Sequence, residues 1–221
     1  MKKSLLAGAS LAAAVASVAS AGFTGYTVDR VVTAAGNIQY KVYGNWDTAN
    51  LVFLNAFNFA TQSGSMNARH QDAAEDLDGN PSQSWSASVN LLGTAARDND
   101  SWVTASGSGT SAGNDASLDP GFNPSNGNSI PNGAGWFDAT PGTANVIAAG
   151  GASGYRMLLM QIVRNGNDAD LFATFYVKNS FKLAGTTTAL FGEGTFTIGS
   201  VPAPGALALL GLAGMAGRRR R

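Results

Sequence analysis

Along much of the chain, apolar and polar positions alternate in short runs, broken by Gly, Asn, Asp and Pro. Ile38-Gln39-Tyr40-Lys41-Val42-Tyr43 alternates residue by residue, as a strand with one buried face does. Phe23 to Val32 alternates more loosely through Tyr26, Val28 and Val31 and predicts a first strand. Gly44-Asn45-Trp46-Asp47 reads as a turn, and Leu51 to Phe59, β-branched and aromatic, as a central strand. Ser65 to Leu77 is polar and predicts a loop or a single helical turn before Asp78-Gly79-Asn80-Pro81 breaks the chain. Trp85 to Leu91 and Asp100 to Thr104 are strand-like again. Tyr155 to Val163 is the most apolar internal run and predicts a buried strand. The turn Arg164 to Asp168, with its Asn-Gly pair, joins it to Leu171 to Val177 as a hairpin. Leu183 to Leu190 and Glu193 to Ile198 supply one or two last strands.

Residues 106–135 interrupt this pattern with a long stretch of Gly, Ser, Asn and Pro, which predicts a functional or mobile loop. Trp136 and Phe137 close it and can pin it to the core. Some eight to ten short strands joined by turns predict an all-β chain, an antiparallel β-sandwich or jelly-roll-like single domain. No repeat period of a solenoid or propeller is present. Strand order is not readable from the pattern.

The two ends follow other rules. Met1-Lys2-Lys3 is basic, Ser4 to Ser17 is apolar, and Val18-Ala19-Ser20-Ala21 offers an Ala-x-Ala cleavage site at Ala19 and Ala21. This is the form of a secretory signal helix, residues 1–21, read by the Sec translocon. It leaves residues 22–200 as the β-domain and 201–221 as a tail. The formal charge of zero conceals an asymmetry. Between the two ends, eight basic residues face fourteen acids, a net charge of −6. Such a body has no electrostatic footprint for nucleic acid and repels anionic surfaces. The chain has no cysteine, so disulfides and thiolate chemistry are excluded. A body of about 180 residues suits one domain with a sizeable core.

The tail has three parts. Val201-Pro202-Ala203-Pro204 is held extended by its prolines, in a form a protease can thread. Gly205 to Gly217, anchored on Leu207, Leu209, Leu210 and Leu212, is uncharged and predicts a short apolar helix. At about 1.5 Å per residue it spans roughly 20 Å, short of a full bilayer crossing unless the membrane thins locally. Arg218, Arg219, Arg220 and Arg221 would stay on the cytoplasmic side. A Val-Pro-x-Pro box, a Gly/Ala/Leu helix and a terminal arginine cluster resemble the PEP-CTERM sorting signal of exported bacterial proteins. The resemblance implies recognition by an exosortase, a membrane cysteine protease, with cleavage near the box. The precursor would be anchored in the inner membrane and the mature form released to the cell surface or extracellular matrix. The family's box has Glu between the prolines, and Ala203 stands there in this chain. A second resemblance runs through Asp100 to Thr104, Leu118-Asp119-Pro120-Gly121-Phe122 and Gly135-Trp136-Phe137. These segments are similar to a domain of other exported bacterial proteins with such tails, and the similarity implies a shared fold without a catalytic residue.

Candidate chemistry in the body is sparse. Gly109-Thr110-Ser111-Ala112-Gly113 has the spacing of a nucleophile elbow but lacks a flanking strand and helix, and His70 is the only histidine and precedes it. His70 could serve as a base, or as a ligand with Asp72 or Asp76, but a surface or hydrogen-bonded role is the ordinary reading of a lone histidine. Asp76, Asp78 and Asn80 offer oxygens for an irregular structural Ca²⁺, without the EF-hand spacing. Asn165, Asn167, Asp168 and Asp170 form a second polar cluster, and turn chemistry accounts for both. No other cofactor and no catalytic residue is expected. Trp46, Trp85, Trp102 and Trp136 are either core anchors or a stacking platform for extracellular polysaccharide. The expectation is therefore an exported, non-enzymatic surface or matrix protein, with a carbohydrate-binding module as the rival.

Overall fold

The computed structural model describes residues 22–70, 85, 98–107, 116–119, 128–138, 147–150, 154–168 and 171–199. The chain enters at β1 (Phe23–Val32), β2 (Ile38–Trp46) and β3 (Leu51–Ser63). The short strands β4 (Trp102–Gly107), β5 (Ala116–Leu118), β6 (Trp136–Asp138) and β7 (Ala148–Ala149) follow. β8 (Tyr155–Arg164), β9 (Ala173–Leu183) and β10 (Leu190–Ile198) complete the set. These strands form two antiparallel sheets among the described residues. One has the order β1-β2-β8-β4, with β7 also on β8, and the other the order β10-β9-β3-β6-β5. No described helix is long and apolar enough to cross a membrane. The predicted signal helix, the sorting tail and all of the predicted strand Trp85 to Leu91 except Trp85 itself lie outside the described residues.

The inward residues of both sheets meet in one apolar cluster. Trp46 of β2 packs edge-on against Phe181 of β9, with ring centroids 5.9 Å apart, and against Phe23 of β1 at 5.4 Å. Phe59, Phe175 and Phe196 stack around the same centre from the second sheet. Burying each such side chain contributes about 1.5–3 kcal/mol. β8 is buried from Met157 through Arg164, between β2 and β4, which fits its largely apolar run; the two polar residues in it, Gln161 and Arg164, are buried with hydrogen-bond partners.

Several sequence expectations are corrected here. Gly44 to Asp47 is no turn: β2 runs on to Trp46, whose ring lies back over Gly44. A Cβ at position 44 would stand 2.5 Å from Trp46 Cη2, so only glycine admits this ring. The hairpin between β8 and β9 does not form. The Asn165-Gly166 pair opens a 3₁₀ turn at Gly166–Asp168, and the chain passes from the first sheet to the second. The observed terminal hairpin is β9 with β10, running from Leu183 through residues 184–189 to Leu190, so the segment Leu183 to Leu190 is a connection rather than a strand. The predicted loop 106–135 contains β5, held by pairing Ala116, Ser117 and Leu118 with Asp138, Phe137 and Trp136. Backbone pairing made this strand, which its small side chains did not announce.

Candidate functional site

His70 ends a segment, residues 65–70, that is laid along the end of β8. Arg69 N–H donates to Val163 O at 2.8 Å, and Ser101 N–H donates to Arg69 O at 3.0 Å. Residues 98–101 are fixed on the other side by amide side chains. Gln39 Nε2 donates to Gln161 Oε1 at 2.8 Å and to Asp98 O at 3.2 Å, and Gln161 Nε2 donates to Asp100 O at 2.8 Å. Asn99 Oδ1 accepts from Thr33 Oγ1 and Asn37 Nδ2 at 2.7 and 2.9 Å. This frame sets the Asp100 carboxylate 3.4 Å from His70 Nδ1, with the His70 side chain only 3% exposed and its ring edge-on to Trp85 at 4.7 Å. The sequence reading paired His70 with Asp72 or Asp76, which lie outside the described residues; among the described residues, Asp100 is the carboxylate beside it. Among the described residues neither ring nitrogen has a hydrogen-bond partner, so no hydroxyl nucleophile is held against it. The arrangement is that of a packed imidazole beside a rigid carboxylate.

The end of β8 carries a buried cation, Arg164. Arg164 is fully buried and its guanidinium donates to Met66 O at 2.8 Å, to Leu171 O and to Ser65 O. It ties the 65–70 segment and the start of β9 to the sheet end. Its role is structural, since planar fork geometry suits several carbonyls at once.

The four tryptophans are core residues: Trp46, Trp85, Trp102 and Trp136 are all buried. Trp136 Nε1 donates to Thr104 O at 3.1 Å, which pins β6 to β4 and leaves Phe137 facing outward. None of the four presents a ring to an incoming sugar, so a tryptophan platform is ruled out for this domain. Asp76, Asp78, Asn80, Ser111 and Asp170 lie outside the described residues, and among those described no group of three metal-ligating side chains comes together.

Sequence reasoning missed the outward face of the second sheet. Register places Glu193 opposite Lys178 and Lys178 opposite Phe57, across β10, β9 and β3. The adjoining row is Phe191, Ser180, Asn55 and Phe137. A bulge after Phe57, with Asn58 at φ 58°, keeps Phe57 outward while Phe59 turns into the core. A cleft of about 610 Å³ opens here, lined by Phe57, Lys178, Phe191 and Glu193 together with Ala189 to Gly192. Phe191 is 57% exposed and meets Phe57 edge-to-face at 6.3 Å. Glu193 Oε2 takes a salt bridge from Lys178 Nζ at 2.9 Å and a hydrogen bond from Tyr176 Oη at 2.8 Å. The hydrogen bond from Lys178, then that from Tyr176, holds the Glu193 carboxyl below its usual range. The same bond to Glu193 raises Lys178. Desolvation first, then the bond to Glu193, raises the Tyr176 phenol. The period-two alternation of residues 174–182 and 191–197 marks these positions as outward, but only strand order brings them together. The chain matches no family model, no curated protein and no solved structure.

Proposed function

We propose that the protein is an exported β-sandwich or jelly-roll-like domain displayed at the bacterial surface or in the extracellular matrix, without catalysis of its own. Residues 1–21 address it to the Sec translocon. Residues 201–221 hold the precursor in the inner membrane until an exosortase-type protease cuts near Val201 to Pro204. The observation that carries this reading is the order of parts in the tail: a proline-stiffened box, an apolar helix and four terminal arginines. One further feature supports it: a cysteine-free, acidic body suits a protein that folds after export without oxidation.

The test is deletion of residues 203–221 in the native host, followed by fractionation. The reading expects the truncated chain to lose its inner-membrane intermediate and to appear in a different fraction from the full chain. Unchanged location and retention would refute it.

A further inference from the structure

The outward face of the β10-β9-β3-β6 strands combines what a sugar polymer requires. We propose that this face, centred on the cleft between Phe57 and Phe191, binds a neutral polysaccharide. The site itself is observed independently of cellular location, while the choice of polysaccharide rests on the exported reading.

Three observations point to that ligand class. First, the cleft volume of about 610 Å³ falls in the roughly 300–1,000 Å³ range of small-ligand sites. Two of its apolar lining residues, Phe57 and Phe191, are aromatic, and Phe191 is 57% exposed. Aliphatic C–H faces of pyranose rings pack on such rings, and a polar ligand's hydroxyls need neighbouring donors and acceptors. Second, Glu193 and Lys178, which line the cleft, supply both, fixed by their 2.9 Å contact and by Tyr176. Glu193 spends Oε2 on these partners, so its other oxygen is placed to accept from a hydroxyl, and the Lys178 ammonium has further protons to donate. Third, the charges cancel within the pair, and the body around it carries a net charge of −6. That balance gives no attraction for a polyanion and repels one at distance, so a neutral chain is the complementary partner.

The register extends the site beyond the cleft. Phe137, 42% exposed, lies in the same row as Phe191, three strand spacings away, or about 14 Å at roughly 4.8 Å per spacing. Between them runs the hydrogen bond from Ser180 Oγ to Asn55 Oδ1, at 2.6 Å. An extended oligosaccharide lying across the strands would touch both rings, whereas a short one would fill the cleft alone.

Affinity electrophoresis of the purified full chain in gels containing soluble neutral glucan or galactomannan, with alginate as the anionic polymer, tests the proposal. Retardation by a neutral polymer and not by alginate is expected. Phe191→Ala and Phe57→Ala should each weaken binding about fivefold to tenfold, while Phe191→Trp should retain it. Phe137→Ala should weaken binding of the polymer and leave that of a disaccharide or trisaccharide unchanged. Circular dichroism melting of each variant checks that it folds. Migration unaffected by every neutral polymer overturns the proposal, and so does retardation that Phe191→Ala leaves unchanged. Self-association abolished by Phe191→Ala would also overturn it, by making a second copy the occupant. Because binding is measured on purified protein, a negative result here leaves the sorting reading standing, and a failed sorting test removes the argument for a polysaccharide from location while the measured binding decides the proposal by itself.

Discussion

Replacing Arg164 with methionine isolates the energetic logic of the β8 end. The side chain is fully buried, and its guanidinium satisfies the carbonyls of Ser65, Met66 and Leu171. A hydrogen bond to a charged group contributes about 1.5–3 kcal/mol net, so three contribute roughly 4.5–9 kcal/mol if additive. Against this, methionine avoids the cost of burying a charge, which is several kcal/mol. In a buried pair of side chains both partners can be made apolar together, and the exchange is then often neutral. Here the described acceptors are backbone carbonyls, which no substitution removes, so these three lose their donor. The expected loss for Arg164→Met is about 3–5 kcal/mol. Arg164→Lys keeps the charge but cannot fork to three separated oxygens, and should lose about 1–3 kcal/mol. Urea titration followed by tryptophan fluorescence reads both, because Trp46 and Trp136 sit in the core. A large fraction of a typical domain's stability is at stake, so the midpoint shift will be plain. If Arg164→Met lies within 1 kcal/mol of the parent, or if the lysine variant is the weaker of the two, the reasoning fails.

Three other outcomes follow from the same structure. Gly192→Ala would set a Cβ 2.5 Å from the Phe23 ring, between the edges of the two sheets, and should cost about 1–3 kcal/mol by thermal melting; Phe23→Leu in the same chain should recover part of that loss. Tyr26 Oη accepts from Asn179 Nδ2 at 2.7 Å and donates to Val177 O at 3.3 Å, so Tyr26→Phe should lose about 1–3 kcal/mol. Adding Asn179→Ala to that variant should cost less than the two changes measured separately. Glu193 has a carboxyl depressed below its usual 4.5, so the Lys178–Glu193 pair adds stability above that value and loses it as pH falls through the lower, folded value. Chemical denaturation between pH 6 and about 3 should therefore show part of the acid sensitivity disappearing in Glu193→Gln; a carboxyl titrating at or above 4.5 by NMR would contradict the pairing.

Much of the fold was legible because it rests on local pattern. β1 begins and ends where the alternation does, and β8 announced itself by a run that only a strand covered on both faces can carry. Where the reading failed, the deciding partner was distant. Gly44 looked like a turn residue, yet it is glycine so that Trp46 can fold back over it. Asn165-Gly166 looked like a hairpin, but the buried guanidinium of Arg164 holds Leu171 and residues 65–66 at that corner and sends the chain into the other sheet. β5 and β7 span three and two residues and exist through pairing alone. The site followed the same rule. The tryptophans drew attention through their chemistry and proved to be core, whereas Phe57, Lys178 and Glu193 are dispersed in sequence and become neighbours only through the order β10-β9-β3. His70 was noticed as the lone histidine, but its neighbour Asp100 comes from a segment that Gln39, Gln161 and Asn99 hold in place.

Intact-mass spectrometry of the protein recovered from the surface fraction of its native host addresses the export and sorting account most directly. The account predicts a chain that starts near Gly22 and stops near Val201 to Pro204, with or without an added group at the new end. A surface-recovered chain whose mass still includes Leu207 to Arg221 would contradict it.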